Sequence, residues 1–383
     1  MKDFTYYNPT RIEFGKGKEN SIGSYVGEFG PAKVLVLYGS ERIKRDGLFA
    51  RVTTSLEQQG IAWQALGGVV SNPRLGLVRE AIALARDKGL QGVVAVGGGS
   101  VLDSAKAIAA GAVHDGDVWD FFIGRAVVTK ALPVFAIMTL AATGSEMNSY
   151  GVVTNEATSQ KYAIGSPLLH PKVSVINPEL MASVSPAYLA YSAVDIFAHC
   201  LDLYFTAEYF PDYNAALIEN ILHTVMRTTA VLLDNPGDYA ARAEFAWAAT
   251  MALNGLTFVG VSGNGFDTHM IEHAMSALHD VAHGAGLAVV LPAWMRWYQG
   301  RRPQRFARFA EKMFAENDGQ AGIERLRRWF KAIGAPVTLA ELGIPESGLT
   351  AVAENAYGLA ENWGIADQYP VAAIVDILRL ARE

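Results

Sequence analysis

Four of the chain's eight histidines fall within fifteen residues, in the segment Thr268-His-Met-Ile-Glu-His-Ala-Met-Ser-Ala-Leu-His-Asp-Val-Ala-His-Gly284. Imidazole is the commonest metal-binding side chain and titrates near neutrality. His269, His273, His279 and His283 are therefore either a metal or proton-transfer site, or a helix whose histidines face water. The pairs His269/His273 and His279/His283 each share a helix face at i, i+4. On one unbroken helix, His269 and His283 would stand about 21 Å apart, farther than one ion can span. A shared metal demands a break between them, and His279-Asp280 followed by Gly284 and Gly286 offers the place.

Upstream, Asp195-Ile-Phe-Ala-His199 puts a carboxylate and an imidazole on one face of an apolar helix. A buried aspartate without a cation or strong hydrogen bonds is costly, so the pair is either a metal-binding half-site or an ordinary surface Asp–His contact. Joined to the later cluster, one carboxylate and two or three imidazoles suit Fe²⁺ or Zn²⁺. Four protein ligands saturate a tetrahedral zinc, whereas an ion of five or six coordination keeps a position for substrate, which favours Fe²⁺ for catalysis.

A second chemistry is suggested by Gly97-Gly-Gly-Ser100-Val-Leu-Asp103, which follows a strand-like run and opens a helical one. Glycines let a phosphate approach the backbone, and a helix N-terminus supplies free N–H groups. The loop is neither G-x-G-x-x-G nor a P-loop, and a plain turn with Ser100 and Asp103 as a capping box is the alternative. Thr143-Gly-Ser-Glu-Met-Asn148 is a second small polar loop at a strand's C-terminal end, where open α/β sheets collect ligands. Two such loops in one domain indicate a dinucleotide crevice.

The elements that must carry these residues divide the chain in two. Strand-like runs at Lys33–Tyr38, Ala62–Leu66, 92–96 and 133–139 alternate with helical patterns at 48–59, 74–88 and 101–110, the signature of a doubly wound α/β domain. From about Pro186, helices are predicted over 187–204, 213–233, 239–256, 269–278 and 304–314, giving an all-helical second domain. The expected division is 1–182 and 183–383, with the boundary near Pro178 to Pro186. Apolar residues make up 51% and charged residues 18%, with a net charge of −6 and no basic tract, which argues against disorder, nucleic acid and anionic membrane. No apolar run reaches the length of about 20 residues that a bilayer requires. The N-terminus lacks the apolar core of a signal peptide, and Cys200 alone excludes an intrachain disulfide. A soluble, cytoplasmic enzyme is the expectation.

In order and spacing, these segments resemble the iron-containing (group III) alcohol dehydrogenases, over nearly the whole chain. The resemblance rests on Asn8–Gly17, Val96–Lys106, Ala142–Glu146, Asp195-x-x-x-His199 and His269-x-x-x-His273-x₉-His283-Gly284. Tyr38-Gly39-x-x-x-x-Lys44 and Asn254-Gly255 are most similar to the butanol dehydrogenase and aldehyde reductase branch. The resemblance implies a dehydroquinate synthase-like architecture, a homodimer, and an active site in the cleft between a nucleotide-binding and a metal-binding domain. It implies Asp195, His199, His269 and His283 as metal ligands and His273 as a histidine near the nicotinamide, while His279 matches no role. Gly97, Gly98, Gly99 and Ser100 would hold the pyrophosphate. Thr139, Thr143 and Asn148 would line the ribose and nicotinamide, Lys161 would reach the cofactor, and Gly39, Ser40, Glu41, Asp103 and Val152 complete the NAD(P) set.

Ser192 stands where this branch usually has glycine, and Asn177-Pro178 where it has Asp-Pro. Glu41 would repel a 2′-phosphate, whereas Arg42 and Lys44 would attract one, leaving NAD and NADP both open. The activity implied is metal-assisted hydride transfer between nicotinamide and a small primary alcohol or aldehyde, with His273 passing a proton and Phe258, Phe266 and Trp363 as candidate pocket residues. The alternatives are an NAD-dependent metal lyase or cyclase of the dehydroquinate synthase type, and a non-catalytic NAD-binding protein with a structural metal.

Overall fold

A computed structural model describes residues 1–382, which divide into two compact units, Tyr7–Ser183 and a second formed by Met1–Tyr6 with Val184 onward. The division follows Ser183 rather than residue 182. The expected boundary also missed that the first six residues belong to the second unit, where Lys2 N donates to the Gly260 carbonyl at 3.1 Å.

The first unit is a six-stranded parallel sheet of β1 (Arg11–Phe14), β2 (Lys33–Tyr38), β3 (Ala62–Leu66), β4 (Val93–Gly97), β5 (Val134–Met138) and β8 (Val173–Ile176). Their order is β1-β8-β5-β4-β2-β3. β4, β5 and β8 are buried along their whole length, and β2 is buried from Val34 onward, which is why they read as continuous apolar runs. The chain leaves β2 toward β3 and returns to the other side of β2 as β4. The strand order therefore reverses between β2 and β4, the point where doubly wound sheets bind ligands.

An antiparallel hairpin, β6 (Tyr150–Asn155) and β7 (Gln160–Gly165), was not anticipated. Its connection turns at Ser159 in the left-handed region (φ 50°), without the glycine that usually announces such a turn. Glu156 in that connection caps a different element, accepting from Leu75 N and Gly76 N (both 3.1 Å) at the start of the Leu75–Lys88 helix.

The second unit is built from helices, led by Pro186–Thr206, which starts on a Ser185 cap with proline in its first turn and is buried over nearly all its length. The helix expected to run to residue 256 stops at Ala252. Asn254 Oδ1 instead accepts from Leu256 N (3.0 Å), and Gly255 adopts φ 93°. Helices at Gly319–Ala332, Leu349–Trp363 and Val371–Leu380 complete the unit. No helix among the described residues is long and apolar enough to cross a membrane.

Candidate metal centre and nucleotide loops

The expected break is present. The Asp267–His279 helix ends at Asp280 in the left-handed conformation (φ 52°), and a new helix, His283–Tyr298, begins three residues later. Gly284 and Gly286 do not make the turn; they allow close packing. A Cβ on Gly284 would lie 2.1 Å from the Tyr191 carbonyl oxygen, and one on Gly286 would lie 2.8 Å from Glu272 Cγ. The reversal brings the rings of His269 and His283 to 5.3 Å.

Both converge on the Pro186–Thr206 helix. Asp195 Oδ1 lies 3.7 Å from His199 Nε2, 3.7 Å from His269 Nε2 and 3.4 Å from His283 Nε2. Two of these imidazoles are tied at their other nitrogen. His269 Nδ1 donates to Asp202 Oδ2 (2.7 Å), and His283 Nδ1 donates to Glu272 Oε2. With Nδ1 carrying the proton, Nε2 presents a lone pair toward Asp195. Asp195 Oδ1 and His269 Nε2 are buried and make no hydrogen bond. Electron-rich atoms gathered in this way repel one another unless a cation lies among them, so this donor set fits a divalent metal ion.

The electrostatics agree. Burial pushes the Asp195 carboxyl upward, but His199 foremost, then His269 and His283, outweigh it and hold it well below the usual carboxylate range. Burial also opposes charge on His269, yet the neighbouring carboxylates of Asp195 and Asp202 raise it to about 9. His199, buried and beside two other imidazoles, is pushed down to about 3. The point between the carboxylates thus draws positive charge, while His199 stays neutral, as a metal ligand must.

A second group, Glu272, His273 and His283, adjoins the first; its donor atoms lie within 4.8 Å of one another. It shares His283, whose Nδ1 meets Glu272 while Nε2 turns to Asp195. The His283 side chain is 25% exposed, against 4–7% for the other three, so the centre opens on that side. His273 lies beside it, with ring centroids 5.7 Å from His283 and 6.3 Å from Trp363. Phe266 meets His269 edge-on at 5.6 Å and touches Phe258. His279 is exposed, consistent with a solvent-facing residue.

Two residues of this site were not singled out in the sequence. Asp202 lies on the same helical face as Asp195 and also accepts from Thr268 N (3.1 Å) and Oγ1 (2.8 Å). It thereby caps, from a neighbouring helix, the one that carries His269. Its spacing of seven from Asp195 was the available signal. Glu272, fully buried, was visible as the one acidic residue in the apolar stretch between His269 and Met275.

In the sheet unit, the helix after β4 starts at Gly99, two residues earlier than expected, with Gly98 at its N-cap and no side-chain cap. The capping-box alternative is thereby corrected. Asp103 instead accepts from Ser145 Oγ (2.7 Å) and Val152 N (3.0 Å), tying the helix to the second loop and the hairpin. A Cβ on Gly99 would sit 2.4 Å from the Thr143 methyl, so the two loops touch.

Thr139 follows β5, its N bonded to the Gly97 carbonyl at 2.9 Å. Asn148 is buried and braces its own loop, accepting from Tyr150 N and Lys106 Nζ (both 3.0 Å). Lys106, quoted in the sequence only as part of a motif, is fully buried and also donates to Ser145 Oγ (2.8 Å) and the Tyr150 carbonyl (2.6 Å). Lys161 lies in β7 and donates to Asn72 Oδ1 (3.0 Å).

Gly39, Ser40 and Glu41 follow β2, across the strand-order reversal from the glycine loop. Glu41 accepts from Tyr38 OH (2.9 Å) and pairs with Lys44 (2.9 Å), and these hydrogen bonds, Lys44's first, lower its carboxyl. Arg42 is turned to Ser183. The Asn177 departure has a local reason: its Nδ2 donates to the buried Glu19 Oε2 at 3.0 Å, where an aspartate would oppose a second carboxylate. Ser192 is buried on the Pro186–Thr206 helix without visible consequence.

The sequence profile described as "Iron-containing alcohol dehydrogenase" matches residues 9–178, and that described as "Fe-containing alcohol dehydrogenase family, C-terminal" matches residues 189–381. The chain is 38% identical over 364 residues to a probable NADH-dependent butanol dehydrogenase of Bacillus subtilis (strain 168), covering 93% of this chain and 94% of that one. It is 32% identical to an NADPH-dependent aldehyde reductase of Escherichia coli (strain K12), over 92% of each. It superimposes on the crystal structure of NADH-dependent butanol dehydrogenase A from Thermotoga maritima with a TM-score of 0.97 and 42% identity, covering 100% of this chain and 99% of that one.

Proposed function

The chain belongs to the iron-containing alcohol dehydrogenase family. We propose that it catalyses reversible hydride transfer between NADH and a small primary aldehyde, with Fe²⁺ held by Asp195, His199, His269 and His283. The observation that carries this reading is the convergence of three Nε2 atoms on Asp195 Oδ1. When bound, the ion supplies Lewis acidity toward the aldehyde oxygen. Fe²⁺ is favoured over Zn²⁺ because four protein ligands would complete a tetrahedral zinc.

The chain's own residues supply the rest. The free amides at the start of the Gly99–Gly111 helix bind the pyrophosphate, while Thr139 and Thr143 line the ribose and nicotinamide. Lys106 and Asn148 hold the second loop in shape, and Lys161 and Val152 belong to the same cofactor-binding set. His273, beside His283 and Trp363, carries the proton exchanged with the alcohol oxygen. Phe258, Phe266 and Trp363 give the metal neighbourhood an aromatic wall suited to unbranched, apolar aldehydes. The lyase or cyclase alternative has no support in the profiles or relatives.

Cofactor choice follows from the end of β2. Glu41 offers a carboxylate to the ribose hydroxyls and repels a 2′-phosphate. Lys44 is paired with Glu41 and Arg42 with Ser183, so the two cations that favoured NADP are otherwise engaged. We also place the protein in the cytoplasm, where the buried thiol of Cys200 stays reduced, and as a homodimer.

Elemental analysis paired with butanal reduction by NADH and NADPH tests this reading. Iron or zinc near one per chain and a higher kcat/KM with NADH are expected. His283→Ala should lose metal and turnover together. Full activity of a metal-free His283→Ala protein would refute the site.

A further inference from the structure

His283 differs from the other two imidazoles of the centre. His199 and His269 are enclosed within helices, whereas His283 is the first residue of its helix and its side chain is 25% exposed. Packing fixes such a ring weakly, because the torsion that spins an imidazole about its Cβ–Cγ bond has a broad profile. The ring must nevertheless present Nε2 to Asp195, at 3.4 Å. A buried carboxylate opposes its rotation. Glu272, fully buried on the preceding helix, accepts from His283 Nδ1 through Oε2 and from Ser276 Oγ through Oε1. Space for Glu272 is kept by Gly286, whose Cβ would lie 2.8 Å from Glu272 Cγ. Ser276 Oγ also lies 3.1 Å from the Val281 carbonyl, so the same network grips the link between the two helices.

We propose that Glu272 is the positioning residue of His283: reaching across the helix break, it fixes the ring's rotation and tautomer so that Nε2 presents its lone pair to the metal. This rests on the reading of His283 as a ligand. The Glu272–His283 contact spans the helix break. The ligand on its far side is aimed from the near side, by a carboxylate locked on the helix that carries His269.

The full-length chain, stripped of metal, is titrated with Zn²⁺ against a chromophoric chelator as wild type, Glu272→Gln, Glu272→Leu and His283→Ala. Thermal unfolding of each metal-free protein is followed alongside. Glutamine keeps an acceptor for His283 Nδ1, and its amide donates to Ser276 Oγ while that hydroxyl turns to Val281. Glu272→Gln should therefore keep a zinc Kd close to wild type, whereas Glu272→Leu should raise it about 10- to 100-fold. If the leucine variant does not fold, Ser276→Ala, which frees the other carboxylate oxygen, must weaken zinc in the same direction. A wild-type Kd in Glu272→Leu (or in Ser276→Ala, should it stand in) overturns the proposal. So does a glutamine variant as weak as leucine, since charge rather than ring orientation would then hold the ion. Zinc binding unchanged in His283→Ala would instead overturn the site reading. Loss in His283→Ala with retention in Glu272→Leu overturns this inference alone.

Discussion

Replacing Gly284 by alanine tests whether the spacing of the proposed metal ligands is set by a backbone contact. Gly284 is the second residue of its helix and has ordinary helical geometry, so alanine introduces no backbone strain there. The penalty is steric. The new Cβ would lie 2.1 Å from the Tyr191 carbonyl oxygen and 2.6 Å from its carbon, where real contacts do not fall below 3.0 Å. Something must move by about 0.9 Å, and both sides are backbone. Tyr191 is one turn before Asp195 on the same helix, and Gly284 follows His283 directly. The displacement therefore separates His283 from Asp195, along the 3.4 Å approach that brings them together. Metal–ligand distances tolerate about 0.2 Å, so the expected shift exceeds the tolerance roughly fourfold. We expect Gly284→Ala to lose about 1–3 kcal/mol of stability in the metal-free chain and to bind zinc at least tenfold more weakly. Urea unfolding and chelator competition measure the two. Unchanged stability with unchanged zinc affinity would show that the helix contact does not set the ligand spacing.

Asp202→Asn turns an amide N–H toward groups that themselves donate, Thr268 N, Thr268 Oγ1 and His269 Nδ1, and should cost about 1.5–3 kcal/mol together with zinc affinity; retention of both would remove Asp202 from the centre. Burial pushes Lys106 down to about 8 against the opposing pull of Asp103 and Glu146. Between that value and its ordinary 10.5 the unfolded chain holds a proton that the native one does not, so stability contributed by this group rises with pH across that window. Wild type should therefore gain about 3 kcal/mol over Lys106→Met from pH 8 to 10.5 in urea unfolding, and parallel profiles would refute it. Asn177→Asp, which sets a second carboxylate against buried Glu19, should destabilise by about 1–3 kcal/mol at neutral pH and by less in acid, as followed by thermal unfolding. Glu41→Gly should raise the NADPH to NADH ratio of kcat/KM; an unchanged ratio would mean that the residue is no discriminator.

The parts of the fold legible in the sequence were those with strong local periodicity. β2, β4 and β5 are continuous apolar runs because both faces are covered, and the long helices carry clear stripes. β8 is only four residues, Val-Ser-Val-Ile, and β1 is partly exposed, so neither stands out. The hairpin turns at Ser159 without a glycine and escaped for that reason. At the centre, histidine spacing required a break and pointed to the right place. The break falls at Asp280 rather than on the glycines, whose role, tight packing against Tyr191 and Glu272, is a tertiary matter that spacing cannot reveal. Asp202 and Glu272 were hidden because carboxylates are common on helices, and only contact with an imidazole gives them their role.

The hexapeptide at the start of the chain has a consequence for synthesis. Met1–Tyr6 belongs with the residues from Val184 onward, while everything between forms the sheet unit. On the ribosome the sheet unit is continuous and can close as soon as it has emerged. The six residues ahead of it meet their partner only once the segment around Gly260 has been made. The helical unit is thus completed from two segments that flank the sheet unit in sequence. Expressed from Val184 alone, it would lack the strand of chain that Lys2 anchors, and an extension fused ahead of Met1 would bear on the metal-binding half rather than on the nucleotide-binding half beside it in sequence.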